Sequence, residues 1–378
     1  MPATALLLLL ALPLKAAEVS APPIGKRAFA ALTAGLSATD PDVRALAAEQ
    51  WGRLGNPAAV KLLLPLLEDP SDAVRVSAAA ALHALGDDAG VKPLFVVALR
   101  GAAPAVKAKV PPAPAAKGAE KDEDPFAAAE EMKSAARNKV RATAIRVLAE
   151  IRPAPLKKML DRLRDDRDGG VRDAALLALG LLGETRELDR LAEALSDEDP
   201  GVRARAAAVL GEVPSPRVSS LLLPLSADKD PRVRAAVMHS LGLTQDPEAL
   251  EALVGGAKDP DELVRAKAVE ALGLLPGDGP VKALEEARAT SNTHVELLAT
   301  AALARHGASE GVLLAQRALS QTDVDARMLA VEVLELIASK DASSVLEAGL
   351  DDREARVRVR AAAALLKIVA RPAPARAP

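Results

Sequence analysis

The chain contains no cysteine and no tyrosine, and only one tryptophan, three phenylalanines and four histidines among its 378 residues. Without thiols there are no disulfides, no thiolate nucleophile, no cysteine-ligated zinc and no cysteine for lipid attachment. The redox compartment stays open, because a thiol-free chain is at home in either. With aromatics so scarce and half the residues apolar, the core must be built from Ala, Leu and Val, which favours helices packed at short range. A surplus of positive charge is missing too: 49 Lys and Arg stand against 52 Asp and Glu, a formal net charge of -3. No global basic field draws in a polyanion, so nucleic acid is not an expected partner.

Long apolar runs are also absent. The longest, Ala5 to Leu14, is too short to span a bilayer, and no membrane span is expected. Its length suits the apolar stretch of a signal peptide, and Val19, Ser20 and Ala21 offer small residues for cleavage. Residues 1–21 are therefore read as a signal peptide and the protein as exported, periplasmic or secreted. Against this, no Lys or Arg precedes the run and Lys15 follows it. The alternative is a cytoplasmic protein whose first segment caps the fold.

Catalytic patterns are sparse. His83, His239, His294 and His306 form no pair at helical spacing with a third ligand in view, so no metal is expected. Neither a Gly-x-Ser-x-Gly elbow nor a Gly-rich phosphate loop after a strand occurs, so no cofactor, no small-molecule substrate and no enzyme activity are expected.

What is present is a repeat. An Asp-x-x-Val-Arg-x-x-Ala-x-x-x-Leu signature recurs with its Arg position at Arg44, Arg75, Arg141, Arg172, Arg203, Arg234, Arg265, Glu296, Arg327 and Arg358. Successive positions differ by 31, except that Arg75 to Arg141 is 66, one period plus 35 residues. Counting from this position, the Val at -1, the Ala at +3 and the Leu at +7 lie on one face of a helix, which marks the core side. At -4 stand Asp40, Asp168, Asp199, Asp230, Asp261 and Asp323, with Asn292 and Glu354 as near substitutes. Asp is a strong N-cap, and the Pro that follows at 41, 200 and 231 suits the first helical position. An Arg in the first turn opposes the helix dipole and needs a partner. The Asp six residues before, as at Asp69, Asp166, Asp197, Asp228, Asp259 and Asp352, predicts an Asp–Arg ladder between adjacent repeats. Second helices of about three turns are predicted over segments such as 57–68, 185–195, 216–226 and 246–257. Two helices per repeat bury no complete core alone and must stack on their sequence neighbours, giving a long ridged surface.

Segments such as DPDVRALAAEQWGRLG (40–55) and DPGVRARAAAVLGEV (199–213) resemble HEAT repeats of the short type found in phycobilisome bilin lyases. The resemblance covers about residues 28–369 and implies an all-α fold, a right-handed α-solenoid of about ten 31-residue two-helix repeats. Repeats are expected over 28–100 and 127–369, with a flexible Ala/Pro/Lys-rich insertion at 101–126 and a disordered tail at 370–378. The insertion is either a mobile arm or a tolerated surface loop. The family implies a scaffold or adaptor more than a chemistry. Its alternative is a lyase or cofactor-handling subunit acting with a partner chain. Deoxyhypusine hydroxylase, a HEAT-like iron enzyme, carries adjacent His-Glu pairs that this chain lacks.

In HEAT repeats the second helix of each pair lines the concave surface, and positions +1, +5 and +9 then face away from the core. The candidate partner-binding residues in the first repeats are Glu49, Arg53, Arg146, Leu177 and Leu181. Further along they are His239, Leu243, Glu270 and Leu274, followed by Arg305, Glu332 and Leu336. Leu177, Leu181, Leu243, Leu274 and Leu336 are the expected apolar anchors. Small apolar residues mixed with charges of both signs suit a protein segment better than a polyanion. Glu296 and Gln321 break the ladder in repeats eight and nine, predicting either a local hinge or simple drift.

Overall fold

The computed structural model describes residues 23–101, 125–215, 217–289 and 293–370. Among them are twenty α-helices and no strand. The even-numbered helices carry the Val-Arg signature. They are α2 (Pro41–Leu54), α4 (Asp72–Ala84), α6 (Pro125–Ile151), α8 (Gly169–Leu181), α10 (Pro200–Gly211), α12 (Pro231–Thr244), α14 (Glu262–Leu272), α16 (Thr293–Arg305), α18 (Val324–Ile337) and α20 (Ala355–Val369). Each is preceded by an odd-numbered helix. These are α1 (Pro23–Gly35), α3 (Val60–Leu63), α5 (Val91–Ala98), α7 (Leu156–Leu163), α9 (Thr185–Ala194), α11 (Arg217–Leu222), α13 (Leu250–Gly256), α15 (Gly279–Arg288), α17 (Val312–Leu319) and α19 (Lys340–Gly349). The fold is an α-solenoid.

The signature helices begin where the sequence says. Asp40, Asp199 and Asp230 accept a backbone N–H at 2.8, 2.8 and 2.9 Å, with Pro just inside the helix. Their buried face follows the predicted period: every +3 residue, from Ala47 to Ala361, and every +7 residue, from Trp51 to Leu365, is at most 3% exposed. Several of these helices end on a left-handed residue at +11, as at Gly55, Gly86, Gly183 and Gly307. Gln245 and Ala338 adopt the same conformation, φ 52° and 50°, without being glycine.

The odd helices are less regular than predicted. In 57–68 and 216–226 the segments LPLLE and LPLSA are 3-10 turns, Leu64–Glu68 and Leu223–Ala227. Pro65 and Pro224 lack the N–H that an α-helical turn requires there.

The Asp–Arg ladder is present. Arg44 meets Asp69 at 2.8 Å, Arg141 meets Asp166 at 2.6 Å, Arg203 meets Asp228 at 2.8 Å, Arg234 meets Asp259 at 2.8 Å and Arg327 meets Asp352 at 3.0 Å. The same guanidinium also turns back on its own repeat: Arg203 donates to the carbonyls of Asp197 and Glu198, and Arg234 to that of Asp228. Those carbonyls belong to the loop leaving the odd helix. The cation therefore answers a helix C-terminus while it sits in the first turn of the next helix, which resolves the apparent conflict with the dipole. The Asp does double duty too, since Asp228 also accepts the backbone N–H of Asp230 at 2.9 Å.

One expectation fails. Repeats were expected to touch only their sequence neighbours, yet the last helices pack on the first. α20 lies against both α1 and α2. A methyl placed on Gly35 would stand 2.8 Å from Val359 Cγ2. Arg27 pairs with Glu347 at 3.0 Å and Asp351 at 2.8 Å. α1 thus packs on α20 as well as on α2. The solenoid closes into a ring whose inner wall is the ten even helices and whose outer wall is the odd ones.

The cause is legible at position +8. Gly52, Gly242 and Gly273 face the +6 alanines of the next repeat, Ala81, Ala271 and Ala302. A methyl on Gly242 would lie 2.6 Å from Ala271 Cβ and 2.7 Å from its Cα, which leaves no room for any side chain. Glycine against alanine draws the inner helices together while larger side chains hold the outer ones apart. Curvature follows from this wedge.

Segment boundaries shift at the insertion. Residues 102–124 lie outside the described residues, but Pro125 already belongs to α6. This helix runs 27 residues because its -4 position is Arg137, and neither an Asp cap nor a Pro stops it there. Its first three turns extend past the ring edge, with Met132 68% exposed. The proposed signal segment, the substituted Asn292 and most of the tail also fall outside the described residues.

Candidate functional site

Ring closure turns the predicted concave face into the wall of a lumen. One cavity on it, about 540 Å³, is lined by α2, α12, α14, α16, α18 and α20, so it spans the junction between the last repeat and the first. The floor is apolar: Leu46, Leu274, Leu298, Ala301, Met328 and Leu329. Around it stand Glu49, Arg53, His239, Glu270, His294, Arg305, Glu332 and Arg360. Most of these charges answer one another. Arg53 pairs with Glu49 at 2.6 Å, Glu270 with Lys267 at 2.8 Å, and Arg305 with Glu332 across one repeat boundary.

Seven of the twelve predicted residues line this cavity: Glu49, Arg53, His239, Glu270, Leu274, Arg305 and Glu332. The other five do not. Leu243, 40% exposed, borders a separate, more polar recess with Ser219, Thr244 and Asp246. Leu181 and Leu336 are half-buried against the core. Leu177 is 2% exposed and therefore is not an available anchor. Tight curvature brings α6 and α10 close enough for Arg146 to grip Glu212 at 3.0 and 3.1 Å, two repeats away, past the inner face of α8 that carries Leu177.

The sequence reading did not foresee Leu46, Leu298, Leu329 and Arg360, all at +2; Met328 stands at +1, a position expected to face away from the core. In a shallow solenoid +2 points sideways; the wedge at +8 rotates it into the lumen wall. The +2 column therefore held the signal, but only once closure is known.

Two polar groups are unusual. Gln50, 4% exposed, has a side-chain nitrogen without a partner, and its oxygen lies 3.4 Å from Arg360. Asp173, on α8, has its carboxyl pushed above the ordinary range by burial, only partly offset by Arg205 at 3.5 Å and by Arg172. Among the described residues no group of three His, Asp or Glu could hold a metal, and no helix is long and apolar enough to cross a membrane.

A ring of stacked helix pairs with an apolar-floored lumen defines the class: a closed helical-repeat protein. The HEAT repeats profile matches residues 29–110, 127–199 and 188–273, more than half of the chain, and the protein belongs to the HEAT-repeat family. No curated protein matches it. Among solved structures it is similar to the CpcE and CpcF complex of phycocyanin lyase from Nostoc, at 21% identity over 57% of this chain and 96% of that one, TM-score 0.40. Human deoxyhypusine hydroxylase aligns at 19% identity over 75% of this chain and 97% of the other, TM-score 0.36. An engineered protein aligns at 20% identity over 91% and 98%, TM-score 0.33. These are likenesses of fold.

Proposed function

We propose that the protein is a non-enzymatic scaffold that holds a short segment of a protein partner in the lumen. The observation that carries this is the cavity itself. Its apolar floor is large enough for several side chains, and its rim charges are of both signs and largely paired. Paired charges offer no net field to a polyanion, while an apolar floor with a polar rim is the anatomy of a protein interface. The partner's apolar side chains settle on the half-buried Leu46, Leu274 and Met328, and its polar backbone meets the rim. We further propose that the protein acts after export.

A photo-crosslinking residue at Met328, compared with one at the outward Leu313, tests the reading in the native host. Leu313 is 70% exposed on α17. Partner adducts from position 328 alone support lumen binding. Adducts only from 313, or none from 328, overturn it.

A further inference from the structure

We propose that Gln50 and Arg360 form a seat for a carboxylate in the lumen, so that the segment held there presents an acidic side chain or its own C-terminus among apolar residues. The seat deepens the scaffold reading above and rests on it for the kind of occupant.

The sequence singles out Gln50. It stands at +6, where the other repeats carry only Ala, Val or, once, Ser240. Its side chain lines the cavity, is 4% exposed and has an amide nitrogen without a partner. By contrast, the buried Ser240 hydroxyl donates to the carbonyl of Ala207 at 2.9 Å. A buried donor left unmatched opposes folding, and an occupant that accepts from it recovers that loss. The amide turns on a soft terminal torsion, so an occupant can draw the nitrogen towards it.

The charge beside it is unmatched as well. Elsewhere on the cavity wall cations and carboxylates pair one for one: Arg53 with Glu49, Lys267 with Glu270 and Arg305 with Glu332. Arg360 instead shares the carboxylate of Glu335 with Lys367. Lys367 holds it at 2.8 Å while the guanidinium stands off at 3.8 Å. Arg360 also donates to the Gln50 side-chain oxygen, at a long 3.4 Å. Two cations on one carboxylate leave one positive charge over, and the Arg360 side chain is only 13% exposed, where water and salt screen it less than at the surface.

The two groups together offer donors and ask for an acceptor. One surplus charge matches a monoanion, and a planar carboxylate takes the guanidinium on one oxygen and the amide on the other. A phosphate dianion brings more charge than the seat answers. Leu46 and Met328, half-buried on the same wall, receive the apolar residues that flank the carboxylate.

Two pairs of short peptides test the seat on the whole chain. Acetyl-Leu-Ala-Leu as the free acid is compared with its C-terminal amide, and acetyl-Leu-Glu-Leu-amide with acetyl-Leu-Gln-Leu-amide. Binding is followed by calorimetry and by the emission of Trp51, the one tryptophan of the chain and the neighbour of Gln50. In at least one pair the carboxylate member is expected to bind about ten-fold more tightly, the weight of one charge-assisted hydrogen bond. Gln50→Met and Arg360→Met are each expected to remove that preference. Gln50→Met also leaves the melting temperature equal or higher, since it deletes the unmatched donor, and it decides the matter if Arg360→Met unfolds. A preference in the first pair marks a C-terminus as the occupant, and one in the second an acidic side chain. Equal binding by acid and amide overturns the seat while leaving the lumen an apolar groove, and a preference that survives both substitutions overturns it too. If no peptide binds, the seat is again overturned, and the scaffold reading answers separately to the adducts from position 328.

Discussion

Gly242→Ala tests whether small-residue contacts on the inner wall set the curvature. The added methyl would sit 2.6 Å from Ala271 Cβ, and an ordinary contact needs at least about 3.4 Å, so α12 and α14 must separate by about 1 Å. With layers about 10 Å apart, a 1 Å widening of the inner side changes the angle between two repeats by about 6°. Ten repeats sharing a full circle turn by about 36° each, so one substitution removes about a sixth of one step. Carried across the ring's width, it displaces the closing helices by a few ångströms, enough to part Arg27 from its carboxylates. The strain costs about 1–3 kcal/mol where the ring resists, less the gain of up to about 1 kcal/mol from replacing a helical glycine. Small-angle scattering and thermal melting of Gly242→Ala and of the triple variant with Gly52→Ala and Gly273→Ala provide the readout. The expected result is a larger radius of gyration, growing with the number of substitutions, at unchanged helicity. A higher melting temperature with an unchanged radius in the triple variant would refute the wedge.

Three further outcomes are expected. Ala338→Gly, which relieves a left-handed alanine at φ 50°, raises stability by about 0.5–1 kcal/mol in denaturant titration, whereas Gly55→Ala at the equivalent cap lowers it. Asp166→Ala strands a guanidinium that is only 3% exposed and costs about 3–5 kcal/mol, while Glu286→Ala, which opens an exposed pair with Lys258, leaves the melting temperature nearly unchanged. Asp69, Asp228 and Asp259 are held below the usual carboxylate range, chiefly by hydrogen bonds from their ladder arginines, and Asp230 is drawn down to about 2, chiefly by Arg232. Because these folded-state values lie below the unfolded ones, their stabilisation is complete above about pH 4 and is lost as pH falls through the folded values. The melting temperature is therefore expected to hold from pH 7 to about 5 and to drop steeply towards pH 2. A profile that is flat throughout contradicts the ladder's part in stability.

Local structure was legible because it is written in single repeats. The Asp40-type caps, the Ala47 and Leu82 core positions and the Arg44–Asp69 rung depend on residues at most one repeat apart, and ten copies reinforce each inference. Closure depends on the sum of small angles over all ten junctions, and no window of the sequence displays that sum. The glycines at +8 were visible, but their meaning required the partner alanine 29 residues on. The same reason explains the site. Helical phase carries Glu49, Glu270 and Glu332 to the cavity wall, whereas Leu177 is buried in the core. Arg360 and Gln50 meet only because the ends meet.

The most direct test of closure is a disulfide across it. A Cβ on Gly25 would stand 4.0 Å from Val369 Cγ1, which places the two positions side by side across the closure. Gly25→Cys with Val369→Cys, in a chain with no other thiol, is expected to oxidise within one molecule to a circular species that migrates differently on a denaturing gel until reduced. A pair that stays reduced under air, or that links only between molecules, would show the two ends apart and the ring open.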